Sequence, residues 1–155
     1  RVIRALEYYH ENGGEKISEH NKKEREKSSP YNFAYFVLND EREKLYQAIE
    51  TRVDDMISRG LIGEVEKLKK MGCKKGMVSM QGLGYKEILS YLNGEISLEE
   101  AVYIIKRNTR HFAKRQLTWF GREKDVIWME KPSFGYNEKK ILDFMLRTLS
   151  EKNII

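Results

Sequence analysis

Between Lys106 and Gln116 the chain places Lys106, Arg107, Arg110, His111, Lys114, Arg115 and Gln116 within about three turns of a predicted helix. Residues 101–122 carry six Lys/Arg and no Asp or Glu. These six charges exceed the formal +5 of the whole protein, so everything outside the segment is slightly acidic. Arg107, Arg110 and Lys114 follow one another at three- and four-residue intervals, with His111 four residues after Arg107, and therefore share a helix face. Such a row can track phosphates spaced along a strand, while Arg115 and Gln116 reach to an adjoining side and offer directional hydrogen bonds. Phe112 and Trp119 present rings on which an unpaired base can stack, or else they pack into a core. A solvated face is the alternative for the cations. If the face meets about five phosphates, binding should weaken with salt with a logarithmic slope of about 3.5.

Other residues could extend such a site. Arg52, in Ile49-Glu50-Thr51-Arg52-Val53, lies beside an apolar stripe and is either a snorkelling surface group or a cation aimed at an anion. Arg1 and Arg4 stand at helical spacing and can grip a second stretch of backbone, or remain solvated. Gly76, Gly82 and Gly84 let the chain between Cys73 and Gly84 approach a ligand closely. His10, His20 and His111 show no metal-ligand spacing, no Ser/His/Asp or Cys/His arrangement is evident, and no Gly-rich phosphate loop precedes a Lys-Ser or Lys-Thr. The chain has groups for binding but no visible nucleophile or base.

The elements that must position these groups are mostly helices. Val2, Leu6 and Tyr9 repeat at helical spacing until Gly13-Gly14. Residues 15–31 are crowded with Lys, Glu and Ser and predict a mobile loop. Phe33-Ala34-Tyr35-Phe36-Val37-Leu38, apolar on both alternating faces, predicts a buried strand. A long helix follows through Leu45, Ile49, Val53 and Met56 to Gly60, then a shorter one through Leu61, Val65 and Leu68 to Gly72. Residues 85–92 turn helical again. Ser97-Leu98-Glu99-Glu100 is a capping box that opens the basic helix, whose buried side should be Leu98, Val102, Ile105, Phe112, Leu117 or near neighbours. Val126-Ile127-Trp128-Met129 predicts a second short strand, residues 132–136 a turn, and residues 138–150 a last amphipathic helix. Two short strands make a poor independent sheet, so their pairing partners should lie elsewhere. An all-helical domain with two misread strands is the alternative.

With 155 residues, 40% hydrophobic and 34% charged, the chain can form one domain with a core and is not of disordered composition. A lone cysteine, Cys73, excludes an internal disulfide and a Cys-rich zinc site and fits a reducing compartment. No apolar run approaches the ~20 residues needed to cross a bilayer, and a cytoplasmic location is expected. The first residues, Arg1-Val2-Ile3-Arg4, enter a running helix without a Met, which suggests a piece of something longer.

Taken together, five blocks in order resemble the C-terminal half of bacterial tRNA dimethylallyltransferases. They are Arg1-Val2-Ile3-Arg4-Ala5-Leu6-Glu7, the helix at 42–56 with Arg52, Gly60-Leu61-Ile62-Gly63-Glu64-Val65, Met80-Gln81-Gly82-Leu83-Gly84-Tyr85-Lys86-Glu87, and the segment from Thr109 through Trp119. The resemblance spans nearly the entire chain and is weakest at 15–31 and after Pro132. It implies a fold that is mainly α with two short strands, the C-terminal part of an α/β P-loop NTPase-like fold. It also implies transfer of a dimethylallyl group from dimethylallyl diphosphate to the exocyclic amine of the adenosine 3′ of the anticodon. Members of the family clasp the anticodon stem-loop of tRNA with a helical insertion and flip the target base into a channel.

By the same resemblance Arg52 would hold the donor's diphosphate as the catalytic residue. Arg1, Arg4, Gln81, Gly84, Tyr85, Lys86, Arg110, Lys114, Arg115 and Gln116 would face tRNA. Residues 1–12 would end the tRNA-binding insertion, 13–32 would be a charged loop, and 33–155 would form the helical part of the core, with strands near 33–38 and 126–129. The family's phosphate loop, with its magnesium-binding Ser/Thr, and its aspartate base would lie upstream. The expectation is therefore that these 155 residues alone transfer nothing, that the strands are orphans of a larger sheet, and that the full-length enzyme is a monomer. A non-catalytic helical RNA-binding module is the competing reading.

Overall fold

The computed structural model describes residues 2–27 and 29–155; Arg1 lies outside the described residues. Helices α1 (Val2–Glu11) and α2 (Ile17–Glu26) form a hairpin, with the Tyr8 and His20 rings 5.5 Å apart. Strand β1 (Tyr35–Asn39) leads into α3 (Arg42–Ser58), α4 (Leu61–Lys70), α5 (Tyr85–Leu92) and α6 (Leu98–Phe120). Strand β2 (Val126–Glu130) and α7 (Glu138–Glu151) complete the order, with short 3-10 turns at Val78–Gln81 and Lys131–Phe134.

The segment at 15–31, expected to be a mobile loop, instead contains α2. Its sequence has almost no apolar face, but Lys, Glu and Arg are good helix formers. Lys16 pairs with Glu19 at 3.7 Å, Lys23 with Glu15 at 2.7 Å, and Lys27 with Glu24. Helices that are polar all round depend on such pairs.

The two strands are also not orphans of one another. They pair in parallel, from Tyr35 opposite Val126 to Asn39 opposite Glu130, and the Asn39 amide donates to both Glu130 carboxylate oxygens at 3.1 Å. The expectation that their pairing partners lie elsewhere is corrected to that extent: helices α3–α6 form the crossover that a parallel pair requires.

The core lies among these crossover helices. Val53 of α3, Leu61 and Val65 of α4, Met80 of the 3-10 turn before α5, Ile88 and Leu89 of α5, and Ala101 and Ile105 of α6 are buried together. Gly60 turns α3 into α4 with φ +102°, a backbone that favours glycine. The buried side of α6 centres on Ala101 and Ile105, with Leu98, Val102 and Leu117 partly buried; of the residues expected there, Phe112 is exposed, at 44%.

The Ser97 hydroxyl accepts from the Glu100 N–H at 3.1 Å, as the capping box predicts. Glu99 and Glu100 place negative charge at the positive end of the helix. We expect Ser97→Ala to cost about 1 kcal/mol of stability, read as a lower midpoint in urea unfolding with an unchanged slope.

Candidate nucleic-acid and anion site

The apolar stripe that buries Val53 also brings α3 alongside α6, and the two helices leave a groove of about 420 Å³ between them. Ile49, Met56, Ile105, Phe112 and Leu83 make its walls apolar; Arg52, Thr109 and Gln116 supply its polar groups. Arg52 also borders a second, more open hollow along α3 with Lys44, Gln47, Thr51, Asp55 and Arg59. Its guanidinium thus stands on the ridge between the two hollows, exposed and without an ion-pair partner among the described residues. An exposed guanidinium in this position fits a snorkelling surface group as well as a cation presented to an anion. An apolar slot with one cation and one amide suits a molecule that has a hydrocarbon part and an anionic head.

The basic helix divides into two sets. Arg110 donates to Glu50 at 2.5 Å, and Lys106 approaches Asp54 at 2.7 Å. Both cations are partly buried, and both carboxylates come from α3. Arg107, Lys114 and Arg115 point outward, with no carboxylate partner among the described residues. Arg107 makes only long contacts of 3.4 Å to the Asn108 side chain, and the Arg115 guanidinium lies 5.8 Å from the centre of the Phe112 ring. The row Arg107, Arg110, Lys114 is therefore interrupted: its middle member helps fasten α6 to α3. Trp119 is 53% exposed, and its ring and that of Phe120 stand nearly perpendicular with centroids 5.2 Å apart.

The turn carrying Gln81 to Lys86 adjoins this face, because Leu83 lines the groove. Gly84 has φ +100°, a backbone that favours glycine, while a Cβ there would meet Leu61 Cδ2 at 3.5 Å, an ordinary contact. The Tyr85 hydroxyl donates to Glu64 at 2.5 Å. That hydrogen bond, followed by burial, holds the phenol above its ordinary pKa, so it remains a protonated donor at neutral pH. Gln81 is exposed and Lys86 half-buried. Arg4, exposed on α1, borders a separate hollow between α1 and α2 with Glu7, Tyr8 and His20 and is not joined to the α3–α6 groove.

Sequence reasoning missed three carboxylates that organise this region. Glu50 and Asp54 are spaced i,i+4 on α3 to match Lys106 and Arg110, spaced i,i+4 on α6. Glu87 is 4% exposed and accepts from the Gly84 N–H at 3.0 Å and from the Asn108 amide at 3.2 Å. The matched i,i+4 spacings were visible in the sequence, but which helices faced each other was not. No group of three or more His, Cys, Asp or Glu among the described residues could hold a metal ion. No helix among them is long and apolar enough to cross a membrane.

The chain is similar to known proteins over its whole length. The curated tRNA dimethylallyltransferase of Lachnoclostridium phytofermentans is 57% identical over 155 residues, all of this chain and 49% of that protein. Its counterpart in Acetivibrio thermocellus is 50% identical over 150 residues, covering 96% of this chain and 48% of that one. The chain thus spans about half the length of the curated relatives it matches. Among solved structures, the tRNA delta(2)-isopentenylpyrophosphate transferase of Staphylococcus epidermidis superposes with a TM-score of 0.75 at 35% identity, covering 97% of this chain and 48% of that one. The full-length tRNA isopentenylpyrophosphate transferase of Bacillus halodurans gives 0.72 at 39% identity, covering 87% and 45%. The fold is that of the C-terminal part of these P-loop NTPase-like α/β proteins, mainly α with two short strands. The family model for IPP transferase matches residues 1–123, and the chain belongs to that family.

Proposed function

We propose that the protein carrying this chain is a tRNA dimethylallyltransferase. It moves a dimethylallyl group from dimethylallyl diphosphate to the exocyclic amine of the adenosine 3′ of the anticodon. The observation that carries this reading is the α3–α6 groove, where apolar walls end at Arg52 on one helix and Gln116 on the other. The hydrocarbon of the donor suits the walls, and its diphosphate suits the guanidinium. As the allylic carbon–oxygen bond breaks, negative charge grows on the departing diphosphate, and a fixed cation there lowers the barrier. The amine nitrogen forms the new bond to carbon and releases its proton to a base.

In this reading Gln81, Gly84, Tyr85, Lys86, Lys114, Arg115 and Gln116 face the anticodon stem-loop, together with Arg1 and Arg4 at the root of the insertion. Arg110 joins them only by leaving Glu50. Residues 1–12 close the insertion, 13–32 link it through α2, and 33–155 supply the helical part of the core. A phosphate-binding loop, a magnesium ion held there, and the base all belong to sequence outside these 155 residues. The intact enzyme works as a monomer in the cytoplasm.

The test is transfer of isotopic label from dimethylallyl diphosphate to an unmodified anticodon stem-loop carrying adenosine or guanosine at the target position. The expected result is label on the adenosine RNA alone, given by the full-length protein and not by the 155-residue chain. A full-length protein that binds the RNA but transfers no label would overturn the reading in favour of a non-catalytic RNA-binding module.

A further inference from the structure

Glu87 is the buried charge of this region that the proposed chemistry leaves unused. Its carboxylate sits at the third position of α5, where Oε2 takes up the Gly84 N–H, one of the donors a helix start leaves unpaired. Oε1 accepts from Asn108 Nδ2 of α6 at 3.2 Å, and the Lys86 ammonium lies 3.6 Å from the same oxygen. On its other side the Asn108 carbonyl oxygen faces the Arg107 guanidinium at 3.4 Å. Gly84, Glu87, Asn108 and Arg107 thus form a continuous polar chain, buried at its centre and ending in a surface cation.

We propose that Glu87, acting through Asn108, is a positioning residue that sets the spacing between the Gln81–Lys86 turn and the cations of α6. The inference rests on the reading of both segments as RNA-facing. A half-buried turn and a helix surface that must meet one folded RNA need a fixed separation. The packing of Leu89 and Ile105 brings the two helices together but does not register their polar ends. A buried carboxylate bridging a backbone N–H and a side-chain amide supplies a directional link, and its alternatives in a low-dielectric site are costly. The Lys86 ammonium, held beside the same carboxylate, is aimed by it as well.

The test uses the full-length protein with Asn108→Ala, Glu87→Gln and the double variant. Asn108→Ala cuts the link while leaving the Gly84 cap and Lys86 untouched. Its KM for the anticodon stem-loop should rise roughly tenfold, the effect of losing one hydrogen bond to a charged group. The KM for dimethylallyl diphosphate should stay unchanged. Because Glu87 works through Asn108, the double variant should bind RNA no worse than the weaker-binding single variant, a non-additivity characteristic of one shared link. Variants with lower melting temperatures but unchanged RNA KM, or fully additive losses, would overturn the inference and leave Glu87 an ordinary helix cap. A parent protein that shows no salt-dependent RNA binding would overturn the RNA-facing reading, and with it this inference.

Discussion

Replacing Arg52 with alanine in the full-length enzyme is expected to lower kcat by about 10²–10³, the range seen when one preorganised donor to a developing negative charge is removed. That corresponds to ~2.7–4 kcal/mol of lost transition-state stabilisation. Affinity for the anticodon stem-loop should change by less than about twofold, because the residue stands on α3 across the groove from the outward cations of α6. The size of the effect follows from the position of Arg52: it borders both hollows and makes no ion pair among the described residues, although Asp55 lines the outer hollow with it. Arg52→Lys should recover only part of the rate, since an ammonium keeps the charge but not the planar fork that engages two oxygens. Single-turnover kinetics with labelled donor and a separate RNA-binding titration would resolve the two quantities. An equal loss of RNA binding would place Arg52 on the RNA instead.

The contrast between Arg52 and Arg110 shows where sequence reasoning reached its limit. Helix α5 was legible at 85–92 and is observed at Tyr85–Leu92, because its apolar residues recur at helical spacing and Gly84 and Asn93 flank it. Helix α6 was legible through Ser97 and Glu100. Both depend on residues close in sequence. Helix α2 was lost because its stability comes from charge pairs and intrinsic propensity, while the apolar period used to find helices is missing from it. The pairing of β1 with β2, 91 residues apart, could not be read locally, since each strand alone specifies only that it needs a partner.

Arg110 and Lys114 are equivalent in the linear pattern, yet one meets Glu50 and the other meets solvent. That difference comes from the docking of α3 on α6. The same docking gives Arg52 a groove to face. Local rules thus identified which groups were present, and tertiary packing decided which were available to a ligand.

That division has a measurable consequence for RNA binding. Six cations on the segment at 101–122 suggested contact with about five phosphates, but Lys106 and Arg110 are engaged with Asp54 and Glu50. Arg107, Lys114, Arg115 and Arg122 remain as the unpaired cations of that segment among the described residues. Four phosphate contacts give a slope of log affinity against log salt of about −2.8 on the single-strand rule and about −3.6 where duplex stem is touched. Raising salt from about 50 to about 200 mM should then weaken stem-loop binding by roughly 50- to 150-fold. Neutralising Lys114 and Arg115 together should flatten the slope by about 1.4. Arg110→Ala should leave the slope unchanged, because the ion pair it breaks is already internal to the protein. Fluorescence-anisotropy titrations of the full-length protein across that salt range read all three quantities. A slope near zero would exclude the basic face of α6 as the RNA surface. A drop for Arg110→Ala as large as for Lys114→Ala would show instead that RNA draws Arg110 away from Glu50, so that the α3–α6 ion pair opens as the complex forms.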